Sequence, residues 1–423
     1  MSAFSHRLLL GLLVILAACG SRDDGRETVR FWAMGREGEV VAALIPEFER
    51  LNPDIRVEVQ QIPWLSAHEK LLTAFAGDAT PDVAQLGSSW VPELVALGAI
   101  EPLDARLAAS RIVRTDDYFE GPMRGNVIDG RTWGVPWYAD TRLLFYRRDL
   151  LREAGFASPP EDWAGWLRAM RAIKARSDPG DYAILLPLNE YEPLLALALQ
   201  QPEPLLRDGG RFGNFRSAGF RRASDFYLRL FREGLAPPVA NTQISNVYDE
   251  FARGRFAFYI SGPWNIGEFR RRLPRDRQDD WMTAPLPGPD GPGASIAGGS
   301  SLAIFARSRR KDAAWRLVEF LSRVDVQLRF FQLTGDLPAR RGAWAAPTLA
   351  NDPYVAAFRE QLERAVPPPA VPEWERIGQQ LRLVGERAVA ERLDAEQFGA
   401  IMDADTDRIL RRRRSLLARG TPR

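Results

Sequence analysis

Two periodicities trade places along the first part of the chain. Residues 28–32, TVRFW, alternate polar and apolar side chains as a half-buried strand does. EVVAALIPEFERL then sets Val40, Val41, Leu44, Ile45, Phe48 and Leu51 at helical spacing. Pro46 falls inside that pattern and predicts a kink or a shortened helix, because it lacks an N–H and its ring crowds the preceding turn. IRVEVQQI, 55–62, alternates again, with Ile55, Val57 and Val59 on one face. HEKLLTAFAGD predicts a helix ending near Gly77, and PDVAQL a short buried strand. The β-α-β-α-β order predicts an α/β lobe.

The middle of the chain is richer in helical pattern. DLLREAGF, EDWAGWLRAMRAIKARS and SAGFRRASDFYLRLFREGL (217–235) are amphipathic, and a single further strand, RFAFYIS, follows Gly254. APLPGPDGPGASIAGGS, 284–300, is too rich in Pro and Gly for regular structure and predicts a crossing between lobes. SLAIFA then returns to strand character, and KDAAWRLVEFLSR sets Ala314, Leu317, Val318 and Leu321 on one helix face. VPPPAVP, 366–372, predicts a stiff extended segment before a final helical region. A chain of 423 residues is too long for one core, so two lobes are expected.

At the N-terminus, His6 and Arg7 precede LLLGLLVILAA, residues 8–18. That apolar run is too short to span a bilayer stably and suits the core of a signal peptide over 1–18. It ends in Leu16-Ala17-Ala18-Cys19, followed by a polar linker over 19–27. LAAC resembles the lipobox of bacterial lipoproteins, which implies cleavage before Cys19 and lipidation of its thiol. The alternative is an ordinary secretion signal with a chance cysteine. Acyl chains would tether an exported globular domain on the periplasmic side of a membrane. Gly20 stands where that resemblance would associate Asp with inner-membrane retention.

Composition narrows the chemistry. Cys19 is the single cysteine, and His68 is the single histidine after the signal segment. Disulfides, a thiol nucleophile and clustered-His metal sites are therefore excluded from a cleaved, lipidated chain, whereas one Ser-His pair is not excluded by counting. No GxxxxGK[ST] loop and no GxGxxG at a strand–helix junction occur, so any ATP that drives the system binds another subunit. The formal charge of +2 exerts no general pull on nucleic acid, and RILRRRR, 408–414, reads as an exposed helix end. His68, on its helix, reads as a surface residue. No cofactor is expected.

Six stretches occur in the order found in the extracellular solute-binding proteins of family 1, which serve bacterial ABC importers for sugars. They are 62–104 (IPWLSAHEK…IEPLD), YADTRLLFYRRDLLREAGF (138–156), GRFAFYISGPWN (254–265), PLPGPDGPGASIAGGSSLAI (285–304), AAWRLVEFLS (313–322) and TGDLPARRGAW (334–344). The resemblance implies a type II periplasmic-binding-protein fold, with two α/β lobes of non-contiguous segments closing on a ligand. It implies lobe 1 over 28–137 plus 297–340 and lobe 2 over 138–296 plus 341–423. The crossings would fall near 137–142, 292–298 and 338–346. The implied partners are a small sugar, the permease subunits of an importer and a separate ATPase, with the protein itself a monomer.

A pyranose ring offers apolar C–H faces and a rim of hydroxyls, so a sugar site needs aromatic faces beside carboxylates, amides and hydroxyls. Trp264 follows Gly262-Pro263, which carry it off a strand end; it either stacks on a sugar or packs as core, and the resemblance favours stacking. Asn265 adds a polar contact or bonds within its own turn. Trp64 and Ser88-Ser89-Trp90 lie on loops after strands, where α/β folds bind ligands; the alternative for the two tryptophans is packing under those loops. Position 89 matches a carboxylate of the maltose-binding relative, and Ser is a weaker, neutral partner there. Asp140 matches a sugar-binding carboxylate of that relative, the alternatives being an ion pair with Arg142 or a turn cap. Tyr138 is cleft or core, and Glu37 a hydroxyl acceptor or a solvated or helix-capping group. Glu190 aligns with another sugar contact, and Gly298-Gly299 permit close backbone approach. Arg340 either donates to hydroxyls or locks the third crossing. Trp374 aligns with an aromatic-rich sugar-contact helix, or is core.

The expected function is capture of a neutral di- or oligosaccharide, such as a maltose- or trehalose-like α-glucoside, without chemistry. The alternatives are a glycerol-phosphate-type ligand, which would need converging cationic donors, and an exported glycoside hydrolase using two cleft carboxylates such as Glu37 and Asp140.

Overall fold

Glu27–Met34 pairs in parallel with Ile55–Ile62, from Glu27 opposite Ile55 to Met34 opposite Ile62. Val29, Phe31 and Ala33 share one side of the first strand and are fully buried, which pins this register: a slip by one residue would turn them to the opposite face. A computed structural model describes residues 25–419 of the chain. The expected signal peptide, Cys19 and most of the 19–27 linker lie outside the described residues.

The first sheet has six strands, in the order Leu337–Pro338, Val135–Asp140, Gly298–Ile304, Val83–Gly87, Glu27–Met34, Ile55–Ile62. Gly298–Ile304 is antiparallel to both neighbours, so a late segment of the chain sits inside a sheet built mostly from early ones. A second sheet has four strands, in the order Trp281–Ala284, Leu143–Arg147, Phe256–Ser261, Tyr182–Leu185. Helices flank both sheets, among them Trp163–Lys174, Ala218–Arg232 and Trp374–Ala390 on the second lobe. This is the two-lobed α/β architecture of type II binding proteins.

The structure departs from the sequence expectations at three places and refines a fourth. Phe256–Ser261 is accompanied by three further strands where only one strand was expected. Leu143–Arg147 is buried at every residue, so its LLFY reads as an unbroken apolar run with no alternation to betray it. The Pro/Gly-rich passage does hold regular structure: Ser295–Ile296 pairs in parallel with Ala365–Val366, and Gly298 and Gly299 belong to a strand. Val135–Asp140 stays in the first sheet through Asp140, so a lobe change between 137 and 138 would cut a strand; the chain joins the second sheet at Leu143. The refinement is at Pro46, which divides the helical stretch in two, Gly35–Val41 and Ile45–Leu51. It sits in the first turn of the second helix, where its missing N–H would be unbonded anyway.

The cores are dense in aromatics. Phe31, Phe48 and Trp137 fill the first lobe, and Trp166, Phe258 and Phe398 the second. Each fully buried large apolar side chain contributes about 1.5–3 kcal/mol. One apolar cluster runs from Phe31 and Trp137 to Phe145 and Trp281 at the second sheet, and Trp137 stacks on Phe330 at 4.4 Å between centroids. This shared core holds the crossing segments together and leaves the opposite side open as a cleft.

Candidate functional site

The turn after the strand Glu27–Met34 begins the site. Gly35 adopts φ +46°, and a Cβ there would stand 2.6 Å from Trp64 Cδ1, so only glycine lets strand, helix and indole meet. Glu37, in the first turn of the helix Gly35–Val41, is then carried inward, with 8% of its surface exposed. Its carboxylate accepts from Tyr138 Oη at 2.8 Å and from Trp64 Nε1 at 3.3 Å. Ser300 Oγ donates to Tyr138 Oη at 2.9 Å, and Gln85 Nε2 donates to Ser300 Oγ at 3.0 Å. The Met34 N–H in turn donates to Gln85 Oε1 at 2.7 Å. Burial pushes the Tyr138 phenol well above its ordinary value, so it remains a neutral donor to Glu37.

Trp64 and Trp90 meet edge to face at 5.6 Å. His68 lies under them, 5.2 Å from the Trp90 ring and 2.8 Å from Glu93 Oε2. The Glu93 hydrogen bond raises its pKa, and His68, expected at the surface, is half-buried and paired.

Asp140 ends its strand beside Gly298, and Arg142 Nη1 donates to its Oδ2 at 2.7 Å. Its other oxygen, Oδ1, is buried with no hydrogen-bond partner in the protein. Arg142 also lies 3.9 Å from Glu192 and 4.6 Å above the Trp264 ring. Trp264 opens the helix Trp264–Arg272 directly after Pro263, and is 43% exposed. Gly262 backs it so closely that a Cβ would fall 2.1 Å from the indole Cζ3.

These groups face one cavity of about 580 Å³ between the lobes. Glu37, Trp64, Ser88, Ser89, Trp90, Tyr138, Asp140, Trp264, Gly298 and Gly299 all line it. Gly299 has φ +101° and a Cβ there would meet the Tyr138 carbonyl at 2.3 Å, so this wall is backbone. A second concavity of about 520 Å³, on the second lobe around Leu205, Pro367 and Val371, has no aromatic lining.

Four residues singled out from the sequence lie elsewhere. Asn265 is 1% exposed and donates to Ser261 Oγ at 2.6 Å, which is bonding within its own turn. Arg340 donates to the Ser322 carbonyl and to Asp117, locking its segment against the first lobe. Trp374 is 1% exposed in the second-lobe core. Glu190 accepts from Asn241 Nδ2 at 3.0 Å and is absent from the lining; burial raises its pKa.

The lining also contains Arg142, named from the sequence only as an ion-pair partner of Asp140, and residues that the sequence reading passed over: Arg36, Tyr191, Glu192, Asp336 and Glu375 among them. Glu192 and Glu375 stand within two residues of Glu190 and Trp374, so the right segments were chosen with the wrong phase. Asp336 lies inside TGDLPAR, where the Arg drew attention instead. Burial, with the charge of Glu37 adding to it, pushes the Asp336 carboxyl up to about 8. Among the described residues, no cluster of His, Cys, Asp and Glu is arranged to hold a metal.

A cleft between two lobes, floored by backbone and walled by indoles and carboxylates, suits a solute carrier. Residues 34–328 match the profile of a family described as bacterial extracellular solute-binding protein. The chain belongs to that family. Among solved structures, this solute-binding protein is similar to the sugar-binding protein MalE of Xanthomonas citri, at 54% identity and a TM-score of 0.90, covering 92% of this chain and 99% of that one. It is also similar to an ABC-transporter solute-binding protein of Thermotoga lettingae solved with α-D-tagatose, at 26% identity and a TM-score of 0.76, covering 91% and 100%. Among curated proteins it is similar to the diacetylchitobiose-binding protein DasA of Streptomyces coelicolor, 23% identical over 86% of this chain and 88% of that one.

Proposed function

We propose that this solute-binding protein captures a neutral di- or oligosaccharide, of the maltose- or trehalose-like α-glucoside class, between its lobes and delivers it to the permease of an ABC importer. The observation that carries the reading is Trp264: a large indole, 43% exposed, facing a cavity that also contains Trp64, Trp90 and hydroxyl-accepting carboxylates. Ring faces for C–H surfaces and charged acceptors for hydroxyls are what a pyranose requires. Asp140 lines the cavity and offers a carboxylate acceptor to a sugar hydroxyl. The similarity to a sugar-binding MalE supports the same ligand class.

Ligand that touches both lobes favours the closed arrangement, because only that arrangement makes both sets of contacts. Lipidation of Cys19 would keep the carrier beside its permease; the LAAC sequence supports this part of the proposal. The lining disfavours a phosphate ester. Glu37, Asp140, Glu192 and Glu375 line the cavity against Arg36 and Arg142, and Arg142 is already paired with Asp140.

A thermal-shift panel of maltose, trehalose, sucrose, maltodextrins and glycerol phosphate tests the reading. A neutral glucoside should raise the melting temperature, since it binds only folded protein. A shift produced by glycerol phosphate alone would overturn it.

A further inference from the structure

The RILRRRR motif takes no part in the cleft, and the structure gives it a surface of its own. The helix Ala395–Ile409 leads into a second helix, Arg411–Ala418, that buries none of its residues. Arg376, Arg408, Arg411, Arg412 and Arg419 line a concavity of about 510 Å³ with Leu416 between them. Arginines elsewhere on this chain are commonly held by carboxylates, as Arg171 is by Glu233 and Arg216 by Glu396. Here Arg408 alone of the five has such a partner, Asp405 at 2.9 Å; the guanidinium groups of Arg376, Arg411, Arg412 and Arg419 make no hydrogen bond or ion pair among the described residues. Four unneutralised guanidinium groups on one surface repel one another, a cost that an anionic partner removes. Leu416 is 44% exposed among them, giving the helix the basic and apolar character of a segment that lies on a membrane surface.

We propose that this surface docks onto an anionic membrane, with the guanidinium groups bonding lipid phosphates and Leu416 entering the headgroup boundary. Guanidinium forks match phosphate oxygens in pairs, and juxtamembrane arginines respond to the summed surface potential of anionic lipids. An acidic protein face would satisfy the charges but leaves Leu416 without a role. The inference is independent of which solute the cleft takes.

The test uses the chain from Gly20 onward, which lacks both the apolar run 8–18 and Cys19, so that neither a signal segment nor an acyl group contributes. It is sedimented with vesicles of phosphatidylglycerol and phosphatidylcholine, and with vesicles of phosphatidylcholine alone. The same chain with Arg411→Gln, Arg412→Gln and Arg419→Gln is run beside it. Binding should favour the anionic vesicles, weaken in high salt and fall about a hundredfold in the triple variant, as three lost surface charges imply. The triple variant should keep its melting temperature, because all three side chains are exposed. Equal binding to both vesicle types, or undiminished binding by the triple variant, would overturn the proposal. So would loss, in that variant, of binding to a detergent-solubilised permease with vesicle binding intact, which would assign the surface to a protein.

Discussion

The guanidinium of Arg142 lies 4.6 Å from the centroid of the Trp264 indole, and its Nη1 holds Asp140 across 2.7 Å. One cation thus orients an aromatic wall and a carboxylate that begin on different sheets. A cation–π contact on a half-exposed ring contributes about 0.5–2 kcal/mol. Arg142→Met keeps much of the stem and removes the charge. It should weaken sugar binding by about 1–3 kcal/mol, measured by calorimetric titration, because both partners lose their orientation. Unchanged affinity would mean that the backbone alone positions Trp264 and Asp140.

Trp264→Ala should lower affinity by about 1–3 kcal/mol while the melting temperature stays close to that of the native protein. Gly262→Ala tests the same wall from behind. Its new Cβ would fall 2.1 Å from Cζ3 of the indole, so the ring must turn away. The expected loss is again about 1–3 kcal/mol of binding, read with the same sugar. If both variants bind normally, the indole is not a sugar platform.

Trp374→Ala should behave in the opposite way. The side chain is buried in the second-lobe core, and truncating such a tryptophan costs about 3–5 kcal/mol of stability. Denaturant unfolding should show that loss. A variant as stable as the native protein, with impaired sugar binding, would return Trp374 to the cleft.

Asp336 gives the stability a pH dependence. Its carboxyl titrates at about 8 in the folded chain and at 3.8 when free in water, so across that window the folded state holds a proton that the unfolded state has lost. Stability therefore falls as pH rises through the window, by at most about 1.4 kcal/mol per unit. His68, raised by Glu93, acts in the same direction from 6.5 upward, which makes the comparison between variants decisive. Asp336→Asn should flatten the dependence and stabilise the protein at alkaline pH, as followed by melting temperature from acid to alkaline buffers. An unchanged slope would assign the dependence to other groups.

Where local chemistry decides, the sequence was readable. Strand alternation in IRVEVQQI gives Ile55–Ile62, and the Gly-Pro break after RFAFYIS ends Phe256–Ser261, although the helix that begins at Trp264 was not read from it. Fully buried strands such as Leu143–Arg147 were not readable, because burial on both faces erases the alternation.

The sequence by itself determined an α/β chain long enough for two lobes, through its periodicity and length, and its resemblance to the solute-binding family pointed to the aromatic and acidic segments that border the cleft. Only the tertiary structure decided which neighbour in each segment faces the cavity. One residue along a helix turns a side chain by about 100°, so Trp374 enters the core while Glu375 reaches the cleft. It also decided that Arg142, which the sequence offered only as a partner of Asp140, meets Trp264 as well. That meeting depends on how two sheets pack across a crossing, which no local pattern encodes.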